Sequence, residues 1–170
     1  SLNLEVASHL VEGKALDHVS RAQSLSRLLL SDVRQVVSTL REGDMVDIGE
    51  ALKRLTEGLP RPEIHLQVPE AVTMVAAGQA QVVLRLAQEA ITNAVKHAQA
   101  QNLWIALRRA DGGVEVVARD DGRGAKKVSA GNGLKGMQER VTQLGGHLDV
   151  ETGPGLGFVL MAWLPMESQA

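Results

Sequence analysis

Four short clusters hold residue types able to bind a charged ligand. Glu89 and Asn93 stand four apart in Glu89-Ala90-Ile91-Thr92-Asn93-Ala94-Val95-Lys96-His97, so on a helix they share a face. A side-chain amide oxygen is a neutral ligand for a hard cation such as Mg²⁺, which keeps several waters and completes its shell with phosphates. Lys96 and His97 follow within a turn, where they could meet phosphate charge. Alone, this cluster reads equally well as a polar helix edge. Asp120-Asp121-Gly122-Arg123-Gly124 comes directly after a run with strand character. An ionised carboxylate only accepts hydrogen bonds, which suits an exocyclic amine such as adenine N6. The glycines permit positive φ and close backbone approach. The plain alternative is an Asp-Gly surface turn. Gly131-Asn132-Gly133-Leu134-Lys135-Gly136-Met137 opens a helix, whose free N–H groups favour phosphate. Its glycine spacing matches a dinucleotide site, but no βαβ crossover with a buried parallel strand precedes it. Gly153-Pro154-Gly155-Leu156-Gly157 stands before the last strand and by itself reads as a tight loop.

The elements that must position these clusters follow from hydrophobic period. Leu2, Val6 and Leu10 end one helix, and Glu12-Gly13-Lys14 turns the chain. A second helix is expected from about Ala15 to Leu40, on the stripe Leu16, Val19, Gln23, Ser26, Leu29 or Leu30, Val33, Val36 or Val37, Leu40. Together they read as a helical hairpin whose stripe needs a partner chain. After a break at Glu42-Gly43-Asp44, Asp47 should cap a short helix through Leu55, with Glu50 completing a capping box. Ile64, Leu66 and Val68 alternate as a strand that Pro69 stops. A long helix should run from Gly78 to His97. A hairpin then sets Leu103, Ile105 and Leu107 against Val114, Val116 and Ala118 across Asp111-Gly112-Gly113. Met137 to Leu144 reads as helix closed by Gly145-Gly146, and strands are expected at His147–Glu151 and Phe158–Leu164. The pattern predicts an α+β fold: a two-layer sandwich, with a mixed sheet and helices on one face, behind a partial helical hairpin.

Composition narrows the function. Apolar residues are 44% of 170, aromatic ones only 2%, so the core is aliphatic and stacking platforms for single-stranded nucleic acid are lacking. A net charge of −2 without a basic run argues against a nucleic-acid partner. The absence of cysteine excludes disulfides and thiolate metal sites. No apolar stretch approaches the roughly 20 residues of a membrane span, so no membrane contact by this segment is expected.

Order then adds what the clusters lack singly: a helix with Asn, a hairpin, Asp-x-Gly-x-Gly, Gly-x-Gly-x-x-Gly at a helix start, and Gly-x-Gly before a final strand. Over about residues 63–165 the chain resembles the histidine-kinase and gyrase-type ATPases, whose ATP-binding fold is the Bergerat fold. The strings QEAITNAVKHAQA, DDGRG and GNGLKGMQERVTQLGGHLDVETGPGLG are most similar to sensor histidine kinases that serve NarL- or LuxR-type response regulators. The resemblance implies ATP and Mg²⁺ as cofactors. It implies Asn93 as the Mg²⁺ ligand, with phosphates and water, and Glu89 as its acidic catalytic partner. Lys96 and His97 would lie near the phosphates, and Asp120 would read adenine beside Gly122 and Gly124. Gly131, Gly133, Leu134 and Gly136 would form the second glycine box, and Gly155 and Gly157 the third. Two positions depart from the family: Ala125 stands where an aromatic is frequent, and Phe158 where a Thr usually supplies a hydroxyl. The short run from Ala125 to Ala130 implies a small ATP lid.

The same resemblance divides the chain into 1–42, the far part of a dimerising phosphotransfer hairpin, 43–62, a linker with a short helix, and 63–170, the catalytic ATP-binding domain. The family's phosphoacceptor His is followed by an acidic residue. His9 precedes Leu10 and His18 precedes Val19, while His65, His97 and His147 fall in a strand, the Asn93 cluster and a Gly-Gly exit. The acceptor is therefore expected upstream of residue 1, and this chain alone is expected not to label itself. A homodimer through the hairpin, a NarL/LuxR-type response regulator as partner, and a cytoplasmic site with a parent free to be membrane-anchored upstream complete the expectation. The alternatives on the same fold are an anti-sigma-type serine kinase, which needs no dimerising hairpin, and an ATP-hydrolysing nucleotide-gated clamp, which has a longer lid.

Overall fold

The computed structural model describes residues 2–30, 45–59, 61–126 and 132–166. The expected hairpin is present as α1 (Leu2–Leu10) and α2 (Lys14–Leu30), turned at Gly13 with φ +59°. Its Val6 and Leu10 are exposed. The expected continuation of α2 through Val33, Val36 and Leu40, the break at Glu42-Gly43-Asp44, Pro60, Gly131 and most of the lid lie outside the described residues.

β1 (Met45–Asp47) leads into α3 (Ile48–Thr56), which Asp47 caps by accepting from the Glu50 amide at 2.9 Å. Such a cap is worth about 1 kcal/mol. The capping box is only half formed, because the Glu50 carboxylate pairs with Arg54 at 3.1 Å. α3 buries Ile48, Ala51, Leu52 and Leu55, and β1 pairs antiparallel with β3 (Met74–Ala76), Val46 opposite Val75. The stretch expected as linker is therefore built into the core along its amphipathic part. Neither three-residue strand has an alternation that marks it in the sequence.

β2 (Glu63–Gln67), β4 (Asn102–Ala110), β5 (Gly113–Asp120), β6 (His147–Thr152) and β7 (Phe158–Pro165) form one sheet in the order β2-β4-β5-β7-β6. Only β2 and β4 pair in parallel, so the sheet is mixed as expected. Asp111 and Gly112 turn the β4–β5 hairpin at φ +48° and +72°, the signature of a two-residue type I′ turn. Gly113, expected in the turn, is the first residue of β5, paired with Ala110, and the Leu164 carbonyl and the Trp163 ring cover the place its Cβ would take.

α4 (Ala77–Asn93) and α5 (Asn132–Gln143), with α3, cover one face of the sheet. Against them lie Leu103, Ile105, Leu107, Val114, Val116, Ala118, Leu160, Ala162 and Leu164, none more than 2% exposed. Each aliphatic side chain of that size removed from water contributes about 1.5–3 kcal/mol. Gln79 ties the start of α4 to the end of β7 by donating to the Pro165 carbonyl. α5 begins five residues before the expected Met137 and closes on Gly145-Gly146, whose amides bond to Thr142 and Val141 at 2.9 Å in a Schellman pair. On the opposite face of the sheet, Trp104 stacks on His65 and Trp163 on His147.

Candidate functional site

β5 ends on Asp120, a charged residue only 3% exposed. Its carboxylate accepts from the Gly122 amide at 2.8 Å and from the Phe158 backbone. Burial pushes its pKa up from the usual carboxylate value; the two amides oppose the rise, and the Asp121 charge adds to it. A carboxylate has about four lone-pair sites, so these two donors leave capacity for a third, such as an exocyclic amine.

Glycines let the chain close around this carboxylate. A Cβ on Gly157, at φ +72°, would run into the Asp120 carbonyl, and one on Gly124, at φ +62°, into the Gly153 carbonyl. A Cβ on Gly122 would overlap Ala98. The Gly155 amide donates to the Arg123 carbonyl at 2.7 Å. The Thr152 hydroxyl donates to the Gly157 carbonyl at 2.8 Å and accepts from the Ala125 amide at 3.0 Å. The first and third glycine clusters are thus one knot. Sequence reasoning passes over Thr152 and registers only the hydroxyl lacking at Phe158; a Thr at a strand end before Gly-Pro was the available signal.

Asn93 is the last residue of α4 proper, half-buried, and Ala94–Ala98 continues as a π-helical turn ended by Gln99 at φ +54°. Single π turns occur often at functional positions. Lys96 is exposed on this turn, and the Ala98 carbonyl accepts from the Arg123 amide at 2.9 Å. One turn before Asn93, Glu89 meets α5: a Cβ on Gly133 would overlap its carboxylate. Gly133 therefore lets the first turn of α5 close on Glu89. Leu134 is half-buried against the core, and Gly136 faces open space. Gly131 and the His97 side chain are outside what is described. The segment from Glu89 to Ala98 spans two corners, one holding Asp120 with Gly122, Gly124 and Gly157, the other Gly133.

Asp121, which has no role in any of the sequence clusters, bonds away from this corner. It accepts from the Gln101 and Asn102 amides at 2.8 and 3.0 Å and from Asn102 Nδ2 at 2.8 Å. Partial burial would raise its pKa, but the bonds from Asn102 and Gln101 and from its own backbone outweigh that and hold it below the usual value. A separate cleft of about 420 Å³, lined by Lys14, His18 and Arg61 among others, lies between α2 and the π turn and includes none of the glycine clusters.

Residues 78–168 match the family described as histidine kinase-, DNA gyrase B-, and HSP90-like ATPase. An uncharacterized sensor-like histidine kinase of Chloroflexus aurantiacus is 29% identical over 91% of this chain and 29% of its own length. The sensor histidine kinase LnrJ of Bacillus subtilis is 30% identical over 88% of this chain and 38% of its own. The chain therefore spans about a third of these curated relatives. The histidine kinase domain of the Erythrobacter litoralis EL346 blue-light activated histidine kinase has the same fold, with a TM-score of 0.70 and 22% identity over 98% of this chain and 94% of that one.

Proposed function

The chain belongs to the histidine kinase-, DNA gyrase B- and HSP90-like ATPases, and from that premise we propose that it is the ATP-binding catalytic domain of a two-component sensor histidine kinase. In this reading the ATP γ-phosphoryl passes to a histidine on a helical hairpin and from there to an Asp of a response regulator. The NarL/LuxR class of regulator is the partner that the strings around Asn93 and Gly133 favour. The α1–α2 hairpin, with Val6 and Leu10 exposed, supports a homodimer and argues for this reading over a serine kinase of the anti-sigma type. Residues 1–42 belong to that hairpin and 63–170 to the catalytic domain, with β1 and α3 of the 43–62 segment joined to the latter's core. Among the described residues no helix is long and apolar enough to cross a membrane.

The observation that carries the proposal is Asp120: a buried acceptor at a strand end, walled by glycines from two clusters. It reads adenine through N6, with Gly122, Gly124, Gly155 and Gly157 forming the wall. Asn93 offers a neutral oxygen that fits Mg²⁺, the rest of the shell coming from phosphate and water, with the Glu89 carboxylate one helical turn away. Bound Mg²⁺ would neutralise phosphate charge during transfer. Glu89 orients the attacking group or metal waters, and Lys96, His97 and the α5 start at Gly131, Gly133, Leu134 and Gly136 receive the phosphates.

Guanine presents a carbonyl where adenine has N6. Two acceptors left facing each other cost about 1–3 kcal/mol each. Competition calorimetry is expected to give ATP a clear preference over GTP; equal affinity would remove Asp120 as the reader. None of the five histidines precedes an acidic residue, so incubation with γ-labelled ATP is expected to leave this chain without acid-labile label.

A further inference from the structure

The two corners of the site must be held at one distance if a single nucleotide is to reach both. Asp121 sits where that distance is fixed. Its Oδ1 accepts both backbone amides of the Gln101-Asn102 step, at 2.8 and 3.0 Å, and its own amide donates to the Asn102 carbonyl at 3.3 Å. Only Ala100 separates that step from Gln99 at the end of the π turn, so it anchors the end of the segment carrying Asn93 and Lys96. Asp121 is also bonded covalently to Asp120. One residue thereby joins the base corner to the phosphate end of α4.

Its second oxygen sets the polarity of a chain that runs away from the site. A carboxylate only accepts, so Asn102 must turn its Nδ2 toward Asp121 Oδ2, at 2.8 Å. Asn102 Oδ1 then faces His65 Nε2 at 3.0 Å, and His65 must carry its proton on Nε2. His65 is half-buried under Trp104 at a ring distance of 5.4 Å.

We propose that Asp121 is a positioning residue for the nucleotide: through the Gln101-Asn102 amides it sets the base-reading corner in register with the phosphate end of α4, and through Asn102 it fixes the tautomer of His65. This rests on the nucleotide-site reading above. Asp121 touches neither base nor phosphate in this role. Its loss is felt by a ligand that must span both corners and not by one that occupies a single corner.

The test compares Mg-ATP with adenosine, each titrated into the full chain by NMR. Asp121→Ala is expected to weaken Mg-ATP about tenfold and adenosine by less than about twofold. Asp121→Asn separates the two oxygens. The backbone amides cannot reverse, so the new Oδ1 must stay on them, and its NH2 then faces Asn102. Asn102 must flip, which turns Nδ2 toward His65 and moves the His65 proton to Nδ1. This variant is expected to bind Mg-ATP within about twofold of the original chain. Its His65 ring nitrogens, identified with His65→Gln, should report the Nδ1–H tautomer. Equal losses for both ligands in Asp121→Ala, or none, would overturn the positioning role. So would an unchanged His65 tautomer in Asp121→Asn, a result that holds even if the alanine variant does not fold. Asp120→Asn serves as the separate control: if it leaves Mg-ATP affinity unaltered, the site reading itself fails, independently of Asp121.

Discussion

The two corners of the site are built on opposite plans. At the base corner three glycines are forced by packing: Gly122, Gly124 and Gly157 each lie where a Cβ would overlap backbone, and Asp120 is buried with its donors in place. At the phosphate corner Lys96 is exposed and Gly136 has nothing within 4 Å of its missing Cβ. The first is organised before any ligand arrives, so binding there orders little and costs little entropy. Among the described residues the second has charge and space but few internal bonds, and in the proposed reading a ligand with its metal completes it. A buried, neutral base suits the former plan; a hydrated, multiply charged phosphate suits the latter.

The sharpest break in this comparison is Gly157→Ala. Positive φ alone costs an L-residue about 1–2 kcal/mol, and the overlap with the Asp120 carbonyl adds a shift of β7 or β5. A loss of about 3 kcal/mol or more is expected in denaturant unfolding. Gly155→Ala is the control: its φ is +76°, yet no atom lies within 4 Å of the added carbon, so only the conformational cost of about 1–2 kcal/mol should appear. Equal losses in the two variants would mean that the base corner yields more easily than its packing implies.

Next in size is the carboxylate. Asp120→Asn sets an amide donor where an acceptor is needed, and Mg-ATP affinity should fall about tenfold to a hundredfold by calorimetry. The stability of the free protein should move the other way with pH. The pKa of Asp120 is raised on folding, so the folded state binds its proton more tightly than the unfolded chain. Its contribution to stability is present in acid and is lost as pH rises from the ordinary carboxylate value through the raised one. Asp121 has the opposite sign: its lowered pKa contributes stability above the ordinary value, and that is lost as pH falls through the folded one. From acid to neutral pH, Asp120→Asn should gain on the original chain in thermal unfolding and Asp121→Asn should lose ground. Parallel slopes would show that the two neighbours do not sit in the different environments described.

What the sequence disclosed follows the same division. The order of clusters, the Asp111-Gly112 turn, the Asp47 cap and the Gly145-Gly146 exit were legible because each rests on local chemistry: positive φ, a side-chain cap, or a period of two or 3.6. The β1–β3 pair was not, since three residues hold no period. The sequence pattern marks α5 only from Met137, since Gly133 and Gly136 have poor helix propensity, yet the helix starts at Asn132, its first turn close against Glu89. The π turn left no mark, since Ala94–Ala98 is compatible with an ordinary helix. Thr152 and Asp121 act on backbone groups distant in sequence, which no motif encodes. The base corner could be named from its glycines, but the reason Gly122, Gly124 and Gly157 must be glycine is a three-dimensional one.

The smallest effect tests the open corner. Gly136 lies inside α5, and a methyl there meets no neighbour within 4 Å. Replacing an interior helical glycine by alanine gains about 0.5–1 kcal/mol, because the unfolded chain loses more freedom than the folded one. Gly136→Ala should therefore raise the unfolding midpoint slightly, unlike any substitution at the base corner. Its effect on Mg-ATP then decides what the empty space is for. If phosphate passes close to the start of α5, the methyl intrudes only on the complex, and affinity falls while stability rises. That divergence is the expected result, measured by calorimetry and thermal unfolding on the same preparation. If affinity stays level while the helix gains stability, the phosphates do not approach Gly136, and the second glycine cluster serves the Glu89–Gly133 contact instead.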